Sequence, residues 1–352
     1  MPFDPKFFQE LCVAPAPTGF EAPVQRVLRR RLGDGWAVHA DPLGDLWAEA
    51  GASGGPQVVV TAHADQIGLI VTYVDEQGFV SFAPIGGVDQ QLLPGRDLVI
   101  HSAAGPVLGV VGRRPTHFIP KDERGKAPDM HEQFVDIGAP SRQEALRRIA
   151  IGDPITFAPR FLELAEDTYA TLAGDDRAGV YVAFRALELY KAAPGSASLI
   201  AVSTVHEETT FMGAKTQARR LSPEAIIVVD VDFATDYPGM DVKKTGGEVK
   251  LGAGPVVARG TGSNAPLFRL ASEVAQAEGI ALQVRAAPGS MSTDADEFMA
   301  AGAATLSLSV PLRYMHSPFE VVRGADIEAA ASLVAALARR LGEAIHPGWS
   351  VP

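Results

Sequence analysis

The chain is poor in several things, and each shortage excludes something. Among 352 residues there is one cysteine, Cys12, so no internal disulfide can form and nothing points to an oxidising compartment. Cys12 lies in the apolar stretch 7–13, where a small core hydrophobe explains it better than a reactive thiol. No unbroken apolar run approaches the ~20 residues that a membrane helix needs. The opening Met1-Pro2-Phe3-Asp4 lacks a basic segment followed by an apolar core, so no secretory signal is expected. Cationic residues are outnumbered, 31 Lys and Arg against 42 Asp and Glu. The resulting net charge of −11 argues against nucleic acid, whose binders carry a basic face. Internal repeats and low-complexity tracts are missing too. The expectation is a soluble cytoplasmic protein with neither a membrane nor a nucleic-acid partner.

What is present is apolar residue, 47% of the chain, enough for a sizeable core. The length allows two domains of roughly 150 residues each. Two helices, 5–12 and 21–32, flank the breaker Ala14-Pro15-Ala16-Pro17-Thr18-Gly19, and strand-like runs follow at 36–40, 46–49 and 57–62. From about residue 67 to 164 the character changes to short apolar runs between turn residues, at 67–74, 79–82, 98–101, 107–111 and 154–157. That spacing predicts a small β barrel or sandwich. One helix, 141–149, opens there on the capping-box pattern Ser141-Arg142-Gln143-Glu144. Beyond about residue 168 strand and helix alternate: helices at 176–190, 267–278, 294–301 and 325–344, strands at 198–205, 225–231, 282–285 and 304–309. Alternation of this kind predicts a sheet covered on both faces. The fold class is therefore α/β: a mixed-sheet α/β/α domain, residues 1–66 and 165–352, interrupted by a β-rich, barrel-like insertion at 67–164.

Five acidic or histidine-bearing segments fall where these strands end. In Thr61-Ala62-His63-Ala64-Asp65-Gln66, His63 and Asp65 are two apart and point the same way on extended chain. A carboxylate so placed fixes the tautomer of a metal-bound imidazole. Asp175 and Asp176 open a helix, a position that an ordinary N-cap also explains. Glu207 and Glu208 follow an apolar strand, where glutamate is depleted. One can bind metal while the other moves protons. Asp230 ends the apolar run 226–229, at the strand end where α/β sheets bind ligands. His316 precedes Ser317-Pro318, which no strand can cross, so it belongs to an end loop. Taken singly each has a bland reading as a cap or a solvated loop residue. Together, two histidines and three carboxylates suit a pair of zinc-like ions. Two divalent ions carry +4, and three carboxylates with one hydroxide carry −4. Without metal the same carboxylates would raise one another's pKa.

His63-x-Asp65, Asp175-Asp176-Arg177-x-Gly179, Glu207-Glu208, Asp230 and Tyr314-Met315-His316-Ser317-Pro318 resemble, in order and spacing, the tetrahedral (TET), or glutamyl/deblocking, aminopeptidase family of metallopeptidase clan MH. Phe134-Val135-Asp136-Ile137-Gly138-Ala139 and Ser292-Thr293-Asp294-Ala295 are similar to further family stretches. The resemblance implies that Asp175 bridges two divalent ions, zinc first, with cobalt or manganese also fitting. It implies that His63 and Asp230 complete one site, that Glu208 and His316 complete the other, and that Glu207 is the general base and acid. Asp65 would support His63, and the peptide bond between Asp175 and Asp176 would be cis. The substrates implied are short peptides cut at their N-terminus. The implied assembly is a homo-oligomer, dimers formed through the insertion building a dodecamer.

The chain departs from the family pattern at Gln66, where Glu is usual, and at His206, where Gln is common. Thr209-Thr210-Phe211-Met212-Gly213 also replaces a Val-Gly-containing run. With Asp176 and Arg313, Gln66 and His206 form an outer set of candidate substrate-proximal or supporting residues. Two other readings stay open: a metal-dependent deacylase or carboxypeptidase, with Arg313 or Lys243-Lys244 holding a substrate carboxylate, and a metal-binding scaffold without catalysis. Relatives have also been labelled endoglucanases, but two-carboxylate glycoside hydrolysis uses neither histidine nor a bridging aspartate. His117 and His131 read as solvated loop histidines.

Overall fold

The computed structural model describes residues 2–52, 54–122, 124–221 and 223–344. The sequence-based domain limits run on to residue 352, so their last eight residues lie outside the described ones.

The chain begins with α1 (Pro5–Val13) and α2 (Ala22–Leu32), then β1 (Val38–Ala40), β2 (Leu46–Gly51) and β3 (Gln57–His63). It continues through β4 (Gly68–Val74), β5 (Val80–Ile85), β6 (Asp97–Ser102), β7 (Gly105–Val111), β8 (Val135–Asp136), α3 (Arg142–Arg148) and β9 (Pro154–Phe157). After β10 (Phe161–Ala165) and β11 (Thr168–Thr171) come α4 (Gly174–Ala192), β12 (Ser198–Thr204), α5 (Glu207–Thr210), α6 (Met212–Arg220) and β13 (Ala225–Phe233). The last third holds β14 (Val256–Gly260), α7 (Ala265–Ala277), β15 (Gln283–Ala287), α8 (Asp294–Ala300), β16 (Thr305–Leu312), β17 (Glu320–Arg323) and α9 (Gly324–Ala344).

Eight strands form one mixed sheet in the order β1-β2-β12-β3-β13-β16-β14-β15. Its centre, β12, β3, β13 and β16, is parallel. Central strands buried on both faces need apolar residues at every position, which is why they read as unbroken apolar runs. Successive side chains alternate between the faces. Val58 and Val60 of β3 join the core under α4, α7 and α9, while Val59 joins the core under α6 and α8. The same split puts Ile227 and Val229 of β13 on the first side and Ile226 and Val228 on the second.

The insertion is a closed six-stranded barrel, β4-β5-β8-β7-β6-β9, with its own core including Leu69, Val71, Leu98, Ile100 and Ile155. Of the two forms the spacing allowed, the barrel is the one found. A third small sheet, β10-β11-β17, joins the chain leaving the barrel to a strand about 150 residues later.

Several elements differ from the sequence reading. β8, β10, β11, β14, β17, α5 and α6 were not anticipated. β13 runs three residues beyond Asp230, so this aspartate does not end its strand. Its ladder with β3 stops at Val228, while pairing with β16 continues to Phe233. Asp230 therefore emerges beside the end of β3 while still held in extended chain. β16 likewise passes through Pro311, tolerated because β14 pairs only with Leu308 and Ser309 and leaves the proline's missing donor on an unpaired side.

Candidate metal centre

Alternation carries the functional side chains to one place. On β3 the face that holds Val59 next presents Thr61 and His63, and on β13 the face that holds Ile226 and Val228 next presents Asp230 and Asp232. The helices α6 and α8 cover the apolar part of this face. Where their cover ends, the polar continuation lines a cavity of about 430 Å³. His63, Asp175, Glu207, Glu208, Asp230 and His316 all open into it.

The centre of the cluster is Asp175. Its Oδ1 lies 3.1 Å from Nε2 of His63, and its Oδ2 lies 3.3 Å from Nε2 of His316. Each oxygen of one carboxylate thus faces a different imidazole. Around His63, Asp230 Oδ1 stands at 3.9 Å and Glu207 Oε2 at 3.8 Å. Around His316, Glu208 Oε2 stands at 3.4 Å. Two overlapping groups, His63 with Glu207 and Asp230, and His63 with Asp175 and Glu208, offer ligand atoms all within 4.8 Å of one another.

The surrounding backbone fixes these positions. Asp65 is fully buried and lies 3.5 Å from Nδ1 of His63. Its two oxygens accept the N–H groups of Glu207 (3.0 Å) and Glu208 (3.1 Å) and the hydroxyl of Thr18 (2.6 Å). Asp65 therefore caps the short α5 and ties it to the histidine strand. The peptide bond between Asp175 and Asp176 is cis, and both residues have non-helical backbone at the head of α4. Asp176 accepts the N–H of Gly179 at 2.8 Å, so the bland reading of an aspartate cap holds for this residue. Arg177, fully buried, points all its donors at the carbonyls of Leu11, Ala14, Ala64 and Asp65 and at Oε1 of Gln66.

The cluster is electrostatically costly without a cation. Burial, with the Asp230 carboxylate adding to it, lifts Glu207 to about 10. Burial and the nearby Asp175 lift Asp230 to about 7. Burial raises Glu208 as well. Asp175 goes the other way: burial opposes its charge, but the two histidines hold it well below the usual carboxylate range. Hydrogen bonding to Asp175 and Glu208 pushes His316 up to about 11. Burial disfavours a charged His63, yet the carboxylates around it hold it well above its ordinary value. Crowded carboxylates that share protons with histidines are what a divalent cation would replace. Oε1 of Glu208 is buried with no hydrogen-bond partner among the described residues. Imidazole nitrogens and carboxylate oxygens in this number suit zinc-like ions. The residues present therefore fit a pair of divalent metals.

The outer candidates do not line the cavity. Gln66 accepts the N–H of Ala16 as well as Arg177. His206 donates its backbone N–H to Glu21 and keeps its ring beside that residue. Arg313 donates twice to Asp236 at 2.7 Å, so its fork is already engaged. Lys243 and Lys244 are exposed and stand outside the cavity wall, and His117 and His131 are exposed, each in a single 3-10 turn rather than in irregular loop.

Sequence reasoning missed three supporting carboxylates. Glu320 of β17 accepts the backbone N–H of both Asp175 and His316, and burial with the Asp175 charge raises it to about 8. Asp294 heads α8, accepts the Thr204 hydroxyl at 2.6 Å, and is raised by burial to about 6. Asp45 accepts the N–H of Val205 and the amide of Gln217, fixing the turn into Glu207, and burial raises it to about 7. Asp294 lay in the stretch Ser292-Thr293-Asp294-Ala295 already singled out by resemblance, though without a role, and Glu320 carried a weaker signal as a glutamate four residues after His316 on a β-branched run.

Among the described residues no helix is long and apolar enough to cross a membrane. The model of the M42 glutamyl aminopeptidase family matches residues 44–333. Lysyl aminopeptidase of Pyrococcus furiosus is 36% identical over 311 residues, covering 86% of this chain and 87% of that protein. The crystal structure of a TET aminopeptidase from a marine-sediment Thaumarchaeota archaeon superposes with a TM-score of 0.88 at 30% identity, over 96% of both chains. The TET1 peptidase of Pyrococcus horikoshii, which can assemble into a tetrahedron or a large octahedral shell, gives 0.86 at 29% identity over 95% of this chain and 98% of that one. A family match across most of the chain, on a fold that gathers these histidines and carboxylates in one cavity, leaves a single assignment: the chain belongs to the M42 glutamyl aminopeptidase family.

Proposed function

We propose that this protein is a co-catalytic metallo-aminopeptidase that removes N-terminal residues from short peptides. The observation that carries the reading is the double reach of Asp175, one oxygen toward His63 and the other toward His316. In this reading Asp175 would serve two divalent ions at once, one that His63 and Asp230 would hold with it and one that Glu208 and His316 would hold with it. Zinc is the first choice, with cobalt and manganese accepted by the same donors. When bound, such ions acidify a water and polarise the scissile carbonyl.

The chain's own residues do the rest. Glu207, set beside His63, would take a proton from the attacking water and return it to the leaving amine once bound cations have displaced the proton that burial keeps on it in the metal-free cluster. Asp65 holds both glutamate amides and orients His63, so base and ligand keep one geometry. The deacylase or carboxypeptidase reading loses support because Arg313 is engaged by Asp236 and the two lysines stand outside the cavity.

Residues 1–66 and 165–352 would form the catalytic domain and 67–164 an assembly domain. The outward face of β7 carries exposed Leu108 and Val110, the kind of apolar surface a subunit contact covers. Dimers building a dodecamer are the expected form, and sizing chromatography that finds only monomer at micromolar concentration would count against it.

The test of the activity is metal quantitation beside hydrolysis of an aminoacyl-arylamide panel, with and without chelator. The expected result is two ions per chain, turnover abolished by chelation, and a Glu207→Gln variant that keeps both ions but loses on the order of 10²- to 10⁴-fold in rate. Unchanged turnover in that variant would remove Glu207 from its role.

A further inference from the structure

Beyond the clustered ligands the cavity continues across the sheet toward its β15 edge. Its floor there is made of small side chains, Ala258 of β14 and Ser307 and Ser309 of β16, and its wall includes Phe233 and Met291. Small floor residues leave depth, and the aromatic and thioether groups leave an apolar lining. Two charges interrupt that lining. Asp232 follows Asp230 on the same face of β13, and Arg285 of β15 meets it in an ion pair between Nη1 and Oδ1. The guanidinium also lies 5.7 Å from the ring centroid of Phe233. Both partners are mostly withdrawn from solvent, with side chains 25% and 12% exposed, so each charge depends on the other for compensation.

Resting on the aminopeptidase reading, we propose that this pocket takes an uncharged side chain of the substrate's N-terminal residue, and that the Asp232–Arg285 pair determines this preference by cancelling the charges in its wall. A substrate whose scissile carbonyl sits among Glu207, His63 and His316 would direct its first side chain into the continuation of the same cavity, whose lining passes from Asp230 to Asp232. An acidic side chain would meet Arg285 only by competing with Asp232, and a basic one would meet Asp232 only by competing with Arg285. An aliphatic or thioether side chain disturbs neither and buries its surface against Phe233 and Met291. The pairing has a second effect. Asp232 stands beside a cluster already crowded with carboxylates, and Arg285 removes its charge from that balance.

The experiment is a kcat/KM profile on the metal-loaded full chain, using leucyl, methionyl, alanyl, glutamyl and lysyl arylamides. Wild type is expected to favour leucyl or methionyl over glutamyl and lysyl. Arg285→Met unmasks the Asp232 carboxylate and should raise lysyl relative to leucyl by about tenfold or more. Asp232→Asn frees the guanidinium and should raise glutamyl relative to leucyl by a similar factor. The double variant, with neither charge, should return to the uncharged preference, which separates a charge effect from damage to the fold. A filled floor, Ala258→Leu, should cost leucyl and methionyl substrates far more than alanyl. The inference is overturned if wild type prefers glutamyl or lysyl, or if each single variant lowers every substrate in the same proportion. Absence of turnover on every substrate in the loaded wild type overturns the aminopeptidase reading, and this inference with it. Turnover with the wrong profile overturns the inference alone.

Discussion

The carboxylate of Glu320 accepts the backbone N–H of Asp175 at 3.0 Å, across 145 residues of sequence. Its other oxygen accepts the N–H of His316 at 2.8 Å. One side chain on β17 thus sets the backbone of two proposed ligands that come from different parts of the fold. Glutamine cannot replace it, because a carboxamide offers one acceptor oxygen and turns its NH₂ toward the remaining N–H. Glu320→Gln is therefore expected to weaken metal retention by about 10- to 100-fold, with activity at limiting metal recovered by excess metal. Titration with a competing chelator reads the affinity directly. A wild-type titration curve for the variant would show that Glu320 does not position the ligands.

Metal removal should couple to pH with a definite sign. Burial raises Glu207 to about 10 and Asp230 to about 7, so the folded apoprotein keeps protons that the unfolded chain gives up near pH 4. Whatever these groups contribute falls as pH rises through that window. His316, held up to about 11 by Asp175 and Glu208, acts in the same direction above its ordinary value near 6.5. Asp175 has the opposite sign, but its contribution is lost only in strong acid, outside the range at issue. In chelator the melting temperature should fall steadily from pH 5 to pH 8. With divalent ions present the fall should be shallower, and the gap between the two forms should widen. Thermal melts at four pH values decide it, and a chelated melting temperature that is flat or rising would contradict the crowded-carboxylate account.

The proposed ligand set was legible because most of its members follow an apolar run or head a helix, where period and burial change within a few residues. His63 follows 57–62 and Glu207 follows 198–205 in this way. Asp230 was legible as a site but not as a strand interior. Its strand continues through Val231, Asp232 and Phe233 by pairing with β16 after β3 has stopped, and such pairing is a property of the neighbour rather than of the run itself. The small sheet β10-β11-β17 escaped for a related reason. Residues 162–165 of β10 are exposed, so no apolar alternation marks that strand. Glu320 was hidden because its partners are backbone amides brought to it by tertiary structure. Arg285 carried no signal in the sequence, because its partner Asp232 is brought opposite it only by the fold.

Gly179 explains why a glycine follows the paired aspartates. A Cβ built there would overlap both carboxylate oxygens of Asp176 and stand 2.7 Å from its Cγ. Asp176 is fully buried and has no room to swing aside. Gly179→Ala gains roughly 1 kcal/mol of helix propensity but should lose more through the clash, for a net destabilisation of about 1–3 kcal/mol. Asp176 would also be pushed toward Asp175, so metal content should fall together with stability. Urea melts alongside metal analysis test this, and a variant as stable as wild type with both ions in place would refute the steric argument.

Arg177 offers the last prediction. Its guanidinium is fully buried and spreads its donors over four carbonyls, those of Leu11, Ala14, Ala64 and Asp65, and over the side chain of Gln66. It binds the end of α1 and the breaker after it to the turn that follows His63, with α4 supplying the side chain. Lysine keeps the charge but has three donors in place of a five-donor planar fork. Arg177→Lys therefore leaves at least two buried acceptors unpaired, at about 1–3 kcal/mol each. The expected loss is about 2–4 kcal/mol, since the lysine stem and partial relaxation recover some of it. Gln66 would be the residue most affected, because its oxygen would lose Arg177 and keep only the N–H of Ala16. A double variant with Gln66→Met should then cost less than the two single losses added together. Additive losses in denaturant melts would mean that the two side chains stabilise the turn independently.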